Sequence, residues 1–437
     1  MEYSVLKGTH DVIKDEADAY SAIESLLTTC ATNYGFREFR TPIIEKTELF
    51  VRTSGESSDI VRKEMYDFKD KGDRNISLRP EVTAGTIRAM INAKLFAIQD
   101  FPIKAYYVGP NFRYERPQQG RFRQFNQFGV ESVGSDSYIN DVEVIVLGFT
   151  ALKMLGFKNL KFKINTLGDL ESRKKYKEAL VSYFSKYIDN MCLDCKERIN
   201  LNPLRILDCK VESDIEIIKG APKLKDYLNS KSTERFENVL KLLKDNEIDY
   251  EVDDTLVRGL DYYSETVFEF HYVSDLGKNY GAIGAGGHYS ELVEQLGGPK
   301  LSGVGFACGI ERLYSILADN NNLPDLSSLD VYIMTMKPDF NEAAFGLVTS
   351  LRNCGFSADM NVENGSFSSM FKKAERRNAK LAIIIGQNEI ENSVVQLKNL
   401  HTKEQFEVKL DDLTEKIDEI LEEFEDHDHH HHHEQQE

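Results

Sequence analysis

Residues 112–131 read FRYERPQQGRFRQFNQFGVE, and this stretch decides how the rest of the chain is interpreted. Arg113 and Glu115 lie two positions apart, so on an extended strand their side chains share one face. Arg121 and Phe125 lie four positions apart and also share a face. A planar guanidinium can bind a phosphate through two parallel hydrogen bonds, and a flat ring can stack on a base. The stretch therefore indicates phosphate chemistry.

Residues 117–120, Pro-Gln-Gln-Gly, predict a hairpin loop that is longer and more mobile than a tight two-residue turn. Taken alone, an Arg-x-Glu pair is common on exposed strands and carries little information. The longer string GPNFRYERPQQGRFRQFNQFGVE, residues 109–131, resembles motif 2 of the class II aminoacyl-tRNA synthetases, and the histidyl members in particular.

The composition is that of a globular protein. A chain of 437 residues is too long to form a single hydrophobic core, so we expect two or three domains. There is no run of about 18 apolar residues and no basic-then-apolar leader, so we expect a cytoplasmic protein. Six cysteines in such a chain favour a reducing compartment. The net charge of −18 argues against nucleic acid as a partner, although a local basic face would be sufficient for binding.

Near the start, apolar residues at helical spacing predict a helix over 20–34, and residues 36–45 then predict a strand interrupted by Pro42. This order resembles motif 1 of the same family, which forms the dimer interface, so the resemblance implies a homodimer. A proline at a strand end is also common in unrelated proteins.

Residues 77–83, SLRPEVT, lead into a predicted helix over 84–94. Glu81 and Thr83 are suited to a plain N-terminal cap, since a helix start favours carboxylates and hydroxyls. The string Arg-Pro-Glu-x-Thr also resembles the segment that holds the amino acid in histidyl-tRNA synthetases.

Residues 255–270, TLVRGLDYYSETVFEF, resemble the signature that separates histidyl-tRNA synthetases from their class II relatives. Arg258 stands in an apolar setting, where a guanidinium is costly to bury unless it meets an anion. That anion could be a ligand phosphate or carboxylate, or a neighbouring acidic side chain.

Two glycine-containing segments follow. Residues 281–289, GAIGAGGHY, carry His288 where the family more often has arginine, a departure that puts only a peripheral contact in doubt. Residues 303–312, GVGFACGIER, resemble motif 3 and place Arg312 near a helix start, where it could bind a terminal phosphate or simply be exposed.

Residues 170–248 predict a helical insertion between two halves of a catalytic sheet. It contains Cys192, Cys195 and Cys209. A structural zinc site needs four ligands and no nearby fourth Cys or His is visible, so unligated thiols are favoured over zinc ligands.

A polar linker over 318–328 precedes strands that alternate with helices, which predicts an α/β domain with a largely parallel sheet. The domain resembles the anticodon-binding domain of this synthetase. One of its helices carries a basic run that is either a solvated face or an RNA contact: Lys372, Lys373, Arg376 and Arg377. The His-rich tail, residues 426–437, is expected to be disordered and could be an affinity tag or native.

The resemblance implies a mixed α/β fold, in which a class II antiparallel sheet flanked by helices occupies residues 1–325 and an α/β anticodon-binding domain occupies 326–425. It implies that ATP is bound by Arg113, Glu115, Arg121, Phe125 and Arg312, with Mg²⁺ held through the ATP phosphates and no metal ligand from the protein. It implies that histidine is bound by Glu81, Thr83, Gln127, Glu131, Arg258, Tyr262 and Tyr263. Arg113 and Arg258 would be catalytic, and Gln118 would contact tRNA with the basic run.

The resemblance thus implies activation of histidine with ATP and its transfer to tRNA. Two alternatives stay open. One is a non-catalytic, histidine-binding regulatory paralogue, which usually lacks the last domain and has eroded motifs. The other is a class II synthetase for glycine, proline or threonine, against which the string LVRGLDYY speaks.

Overall fold

The computed structural model describes residues 3–55, 58, 60–98, 100–118, 120–257, 259–324, 329–363 and 366–422. The chain divides into two compact units, residues 1–325 and 326–437. Among the described residues, no helix is long and apolar enough to cross a membrane.

The first unit contains eleven strands among its described residues. In chain order they are β1 (Arg37–Glu38), β2 (Ile44–Lys46), β3 (Tyr66–Lys69), β4 (Asn75–Leu78), β5 (Ile103–Phe112), β6 (Gln124–Val133), β7 (Leu160–Thr166), β8 (Glu251–Val252), β9 (Ser264–Val273), β10 (Asn279–Tyr289) and β11 (Gly303–Gly309).

The α-helices of this unit lie before, between and after these strands. They are α1 (Asp15–Asn33), α2 (Thr47–Ser54), α3 (Thr83–Asn92), α4 (Tyr138–Met154), α5 (Leu170–Phe184), α6 (Leu193–Leu201), α7 (Glu212–Lys219), α8 (Ser230–Asp245), α9 (Leu292–Gln295) and α10 (Ile310–Asp319). Short 3-10 or π-helical segments connect several of them.

An eight-stranded sheet organises the first unit, in the order β1-β5-β6-β11-β10-β9-β7-β8. Its six inner strands pair antiparallel, and only the edge strands β1 and β8 pair parallel with their neighbours. A separate three-stranded antiparallel sheet has the order β2-β4-β3. The predicted fold, an antiparallel sheet flanked by helices, is confirmed.

The main hydrophobic core lies between the large sheet and helices α1, α4 and α10. Aromatic side chains of β9 and β11 fill its centre, where the rings of Phe270 and Phe306 meet edge to face at 5.3 Å between centroids. Gly148 of α4 permits this packing, because a Cβ there would come within 2.8 Å of the Phe270 ring. The core thereby fixes one face of the sheet.

Residues 170–248, predicted to be a helical insertion, contain helices α5 to α8, which lie between β7 and β8 in the chain. Their apolar side chains form a smaller core of their own around Tyr176, Leu180 and Phe184. This segment therefore folds onto the sheet with its own buried centre.

The structure differs from the prediction for the motif 1 strand and for the hairpin. Residues 36–45 form two separate short strands, β1 and β2, because Pro42 lacks the amide that a continuous ladder needs. Strand β5 ends at Phe112 and β6 begins at Gln124, so Arg113, Glu115 and Arg121 belong to the connecting loop.

The second unit contains β12 (Leu329–Thr335), α11 (Asn341–Asn353), β13 (Ala358–Met360), α12 (Phe367–Arg376), β14 (Ala379–Ile385), α13 (Gln387–Asn392), β15 (Val394–Asn399) and β16 (Gln405–Lys409), and a last helix covers residues 413–422. Its sheet has the order β13-β12-β14-β15-β16. The first three strands are parallel and the last two antiparallel, so the predicted parallel character holds for half of the sheet. The pairing changes from parallel to antiparallel because the β14–β15 and β15–β16 connections are short.

Candidate active site

An open cavity of about 390 Å³ lies on the large sheet. Strands β6, β10 and β11, the β5–β6 loop and the start of α10 form its walls. Five of the predicted ATP-binding residues line it: Arg113, Glu115, Arg121, Phe125 and Arg312. The structure thus brings residues that are almost 200 positions apart in sequence to one site.

Three arginines are the cations of the cavity, and the carboxylates of Glu115, Glu269 and Glu311 also line it. Arg113 is held by a hydrogen bond from its Nε to the Pro80 carbonyl at 2.9 Å. Arg312 donates from Nε to the Ala282 carbonyl at 3.2 Å and from Nη2 to the Tyr280 carbonyl. Burial lowers the pKa of Arg312, and the charge of Arg121 lowers it further. Because the guanidinium groups of Arg121 and Arg312 repel each other, an anion such as a phosphate can bind between them.

A ring and a carboxylate lie beside Arg113 in the same cavity. The Arg113 guanidinium carbon lies 5.3 Å from the Phe125 ring centroid, within the range of a cation–π contact. The Glu115 carboxylate lies 3.8 Å from Arg113 Nη1. A flat ring beside a hydrogen-bond acceptor can take a base by stacking and by accepting from an exocyclic amino group.

Glu311 is a cavity residue to which the sequence interpretation assigned no role. Its buried carboxylate accepts hydrogen bonds from the Asn126 backbone amide at 2.8 and 2.9 Å and from Asn126 Nδ2 at 3.1 Å. Burial raises its pKa to about 7. Glu311 thereby joins the start of α10 to β6, and it positions Arg312, the next residue in the chain.

A second, buried polar cluster surrounds the Glu131 carboxylate on β6. Thr83 Oγ1 donates to it at 2.6 Å, Tyr289 OH at 2.9 Å and Tyr107 OH at 3.3 Å. Burial raises the pKa of Glu131 to about 7. Gly305 on the adjacent strand leaves room for this carboxylate, because a Cβ there would lie 2.3 Å from Glu131 Oε2. The sequence interpretation named Thr83 and Glu131 but missed both tyrosines.

Glu81 lies in the same buried region, at the start of α3. It accepts a hydrogen bond from the Ala84 backbone amide at 3.1 Å, so it does cap the helix. Burial raises its pKa, while the amides of Ala84 and Thr83 and the charge of Arg113 oppose the rise. Capping and ligand binding are therefore compatible, and Arg113 electrostatically links this cluster to the cavity.

Gln127 lies at the border of the two regions. It lines the cavity, and its Oε1 accepts from Asn111 Nδ2 at 2.9 Å. That bond fixes the side-chain amide, so its NH₂ group remains available as a donor. Phe125, Gln127 and Glu131, which are predicted to bind the nucleotide or the amino acid, thus lie on one face of β6.

Tyr262 and Tyr263 pack against this cluster with ring centroids 4.6 Å apart. Tyr262 is buried and meets the Tyr289 ring edge to face at 5.9 Å. The Tyr263 carbonyl accepts from Arg173 Nη1 of α5 at 2.7 Å. Arg258, predicted to be catalytic, lies outside the described residues, so its assignment stays a prediction.

His288, the departure from the family pattern, is fully buried away from the cavity. Its Nδ1 lies 2.9 Å from an Asp141 oxygen, and Arg235 of α8 donates to the other Asp141 oxygen at 2.7 Å. The histidine thus belongs to a buried ionic network that ties α8 to the sheet.

Of the four basic residues near the end of α12 that are predicted to contact RNA, two lie close to acidic side chains and two do not. Lys373 lies 3.7 Å from Glu363, and Arg377 forms an ion pair with Asp359. Lys372 and Arg376 are exposed, and neither has an ion-pair partner within the described part of the chain. Gln118, the loop residue predicted to contact tRNA, is exposed and forms an isolated bridge with Arg121.

An antiparallel sheet with an arginine-lined cavity across its inner strands is typical of the class II aminoacyl-tRNA synthetases. The histidyl-tRNA synthetase family model matches residues 8–313, and an anticodon-binding domain model matches 330–420. The chain belongs to the histidyl-tRNA synthetase family.

Similar proteins agree with this assignment. A histidine–tRNA ligase of Bacillus subtilis is 45% identical over 416 residues, which cover 94% of this chain and 97% of the relative. The apo histidyl-tRNA synthetase structure from S. aureus is 38% identical with a TM-score of 0.79, covering 95% of this chain and 100% of the other. A Bacillus halodurans structure, titled as an ATP phosphoribosyltransferase regulatory subunit/histidyl-tRNA synthetase, is 19% identical with a TM-score of 0.62, covering 88% and 98%. At that identity the likeness shows the fold alone.

Proposed function

We propose that this chain is a histidine–tRNA ligase. It activates histidine with ATP to histidyl-adenylate, releases pyrophosphate, and transfers the histidyl group to the terminal adenosine of its tRNA. The observation that carries the proposal is the arginine-lined cavity lying directly beside the buried Glu81 and Glu131 cluster, in a chain of this family. Charging of a histidine tRNA transcript with labelled histidine tests it.

Activation is an in-line attack of the histidine carboxylate on the α-phosphate, so the enzyme works by alignment and by neutralising charge. Arg113 holds the α-phosphate against the carboxylate, since it lies between the cavity and Glu81. Arg258 is assigned to the opposite side of the α-phosphate, and this assignment rests on the family signature alone. Arg121 and Arg312 bind the outer phosphates, and Phe125 with Glu115 takes the adenine.

Magnesium fits this site through ATP. The phosphate oxygens of ATP are ligands of the kind that Mg²⁺ prefers, so the ion would be held through ATP and needs no ligand from the protein. The ion would supply additional neutralisation of the outer phosphates when bound. Arg113 and Arg312 orient the phosphates by their own hydrogen bonds.

Histidine selection requires polar partners for both ring nitrogens. Glu81 and Tyr263 face the imidazole, and Thr83, Gln127 and Glu131 hold the amino end. The hydrogen bonds that fix Glu131 leave it little freedom, so it serves as a rigid part of the pocket. Tyr262 packs behind the pocket.

The regulatory paralogue is the weaker alternative, since Arg113, Arg121 and Arg312 all line the cavity and the anticodon-binding model matches residues 330–420. We also propose a homodimer, supported by the motif 1 segment at the sheet edge, where Ile43 and Ile44 are 40% and 49% exposed. Six free thiols favour a cytoplasmic location.

Replacing Lys372 and Arg376 together by glutamate should lower kcat/KM for tRNA charging by about tenfold or more, because two exposed cations on one helix face would no longer meet phosphates. Exchange of pyrophosphate without tRNA should keep its wild-type rate. Initial charging rates at several tRNA concentrations measure the effect.

Lys409→Glu is the matched control. This exposed lysine lies on β16, an edge strand of the five-stranded sheet in the second unit. Equal charging by the double variant and by Lys409→Glu would remove α12 from the tRNA interface.

A further inference from the structure

Three cysteines of the helical insertion converge with a carboxylate at a site away from the cavity. Cys192 precedes α6, Cys195 lies in its first turn, Cys209 follows the next 3-10 segment, and Asp214 belongs to α7. One ligand atom from each of the four lies within 4.8 Å of the others. The sequence offered no fourth Cys or His, and the fold supplies Asp214 in that place.

The spacing of these atoms is that of a metal site. Cys192 Sγ and Cys209 Sγ are 3.8 Å apart, and Cys209 Sγ is 3.4 Å from Asp214 Oδ2. Zinc–sulfur bonds of about 2.3 Å in a tetrahedron separate the sulfurs by about 3.8 Å. A disulfide would need about 2.05 Å, so the three thiols are reduced in this arrangement.

Backbone and side-chain donors already orient the proposed ligands. The Val211 amide donates to Cys209 Sγ at 3.5 Å, and the Cys192 amide donates to Asp214 Oδ2 at 3.1 Å. Ser213 Oγ donates to Asp214 Oδ1 at 3.2 Å. Such outer contacts hold metal ligands in place before the ion arrives.

We propose that Cys192, Cys195, Cys209 and Asp214 bind one Zn²⁺ as a structural site. Cys195, Cys209 and Asp214 are buried and all four ligands come from the protein, so no coordination position remains for a substrate. On binding, each of the three thiols releases its proton to solvent and the carboxylate binds as the anion.

The ion would fix the segment between Cys195 and Cys209, which has a small core of its own. That segment contacts the turn before Tyr262: Asn202 Nδ2 donates to Asp261 Oδ1 at 2.7 Å, and Arg205 Nη2 donates to the Gly259 carbonyl at 3.2 Å. The proposed zinc site would thus stabilise the segment that contacts the turn before Tyr262 and Tyr263.

The test is made on the full chain, purified under reducing conditions. The histidines at 427 and 429–433 can bind zinc through imidazole, so total zinc is not decisive. We expect about one equivalent of zinc to be released by a mercurial that reacts with thiolates. We also expect Co²⁺, exchanged for the zinc, to give thiolate-to-cobalt charge-transfer bands in the near ultraviolet, which imidazole ligands do not give.

Cys195→Ser and Asp214→Asn should lose the thiol-releasable zinc or weaken its retention against a chelator, and Asp214→His should keep it. Cys354→Ser, which removes an exposed thiol of the second unit, is the control and should match wild type. Wild-type protein without thiolate–cobalt bands would overturn the proposal, as would thiol-releasable zinc that Cys195→Ser retains against a chelator as strongly as wild type. If the variants do not fold, the wild-type cobalt spectrum alone decides.

Discussion

Arg113→Ala should lower the rate of histidine-dependent ATP–pyrophosphate exchange by about 10³-fold, the largest effect we expect from a single substitution. The guanidinium is anchored to the Pro80 carbonyl, so it lies fixed beside Phe125 before ATP arrives. A charge that is already in position stabilises the developing charge on the α-phosphate at no cost of reorganisation. Exchange rates at saturating ATP and histidine measure the loss.

Arg116→Ala is the matched control, because Arg116 is exposed in the same loop and does not line the cavity. It should retain exchange close to wild type. Arg113→Lys should recover only a small part of the activity, since an ammonium lacks the planar, two-bond geometry. Near-normal exchange by Arg113→Ala would exclude this residue from the chemical step.

Glu81→Gln should lower kcat/KM for histidine in the exchange reaction by about 10²-fold, mainly through a higher KM for histidine. The carboxylate is buried, and its helix-capping bond uses only part of its accepting capacity. Glutamine preserves the size and one acceptor but removes the charge that would pair with the imidazole in the proposed pocket. The KM for ATP should change little, and titrating each substrate separately distinguishes the two.

Glu48→Gln serves as the control for this change, since Glu48 is an exposed acid in the first turn of the neighbouring helix α2. It should behave as wild type. An unchanged KM for histidine in Glu81→Gln would return Glu81 to a purely capping role.

Many of the elements and candidate site residues can be predicted from the sequence, because they belong to motifs of residues that are close together in the chain. The resemblance to motif 2 implied roles for Arg113, Glu115 and Phe125, and the resemblance to the histidyl members implied roles for Gln127 and Glu131. The helix over 20–34 and the alternating elements after residue 329 follow from periodicity that the structure reproduces. Local pattern was sufficient wherever neighbouring residues in the chain share one face.

Residues that act across the fold could not be found in this way. Tyr107 and Tyr289 lie on strands whose registers bring them to Glu131 from 24 and 158 positions away. Asp214 joins the cysteines only because α6 and the start of α7 both pack against the 3-10 segment Pro203–Asp208 that connects them. Glu311 could have been noticed, since a glutamate that follows an apolar, glycine-rich strand is costly to bury without partners.

ATP–pyrophosphate exchange, run on the purified chain with each amino acid in turn and without tRNA, distinguishes an enzyme that activates histidine from a protein that only binds it. We predict exchange that depends on histidine alone, which would establish adenylate formation and selectivity together. Histidine binding without exchange would contradict the claim and favour the regulatory paralogue. Exchange with another amino acid would contradict the pocket assignment while leaving the class II chemistry intact.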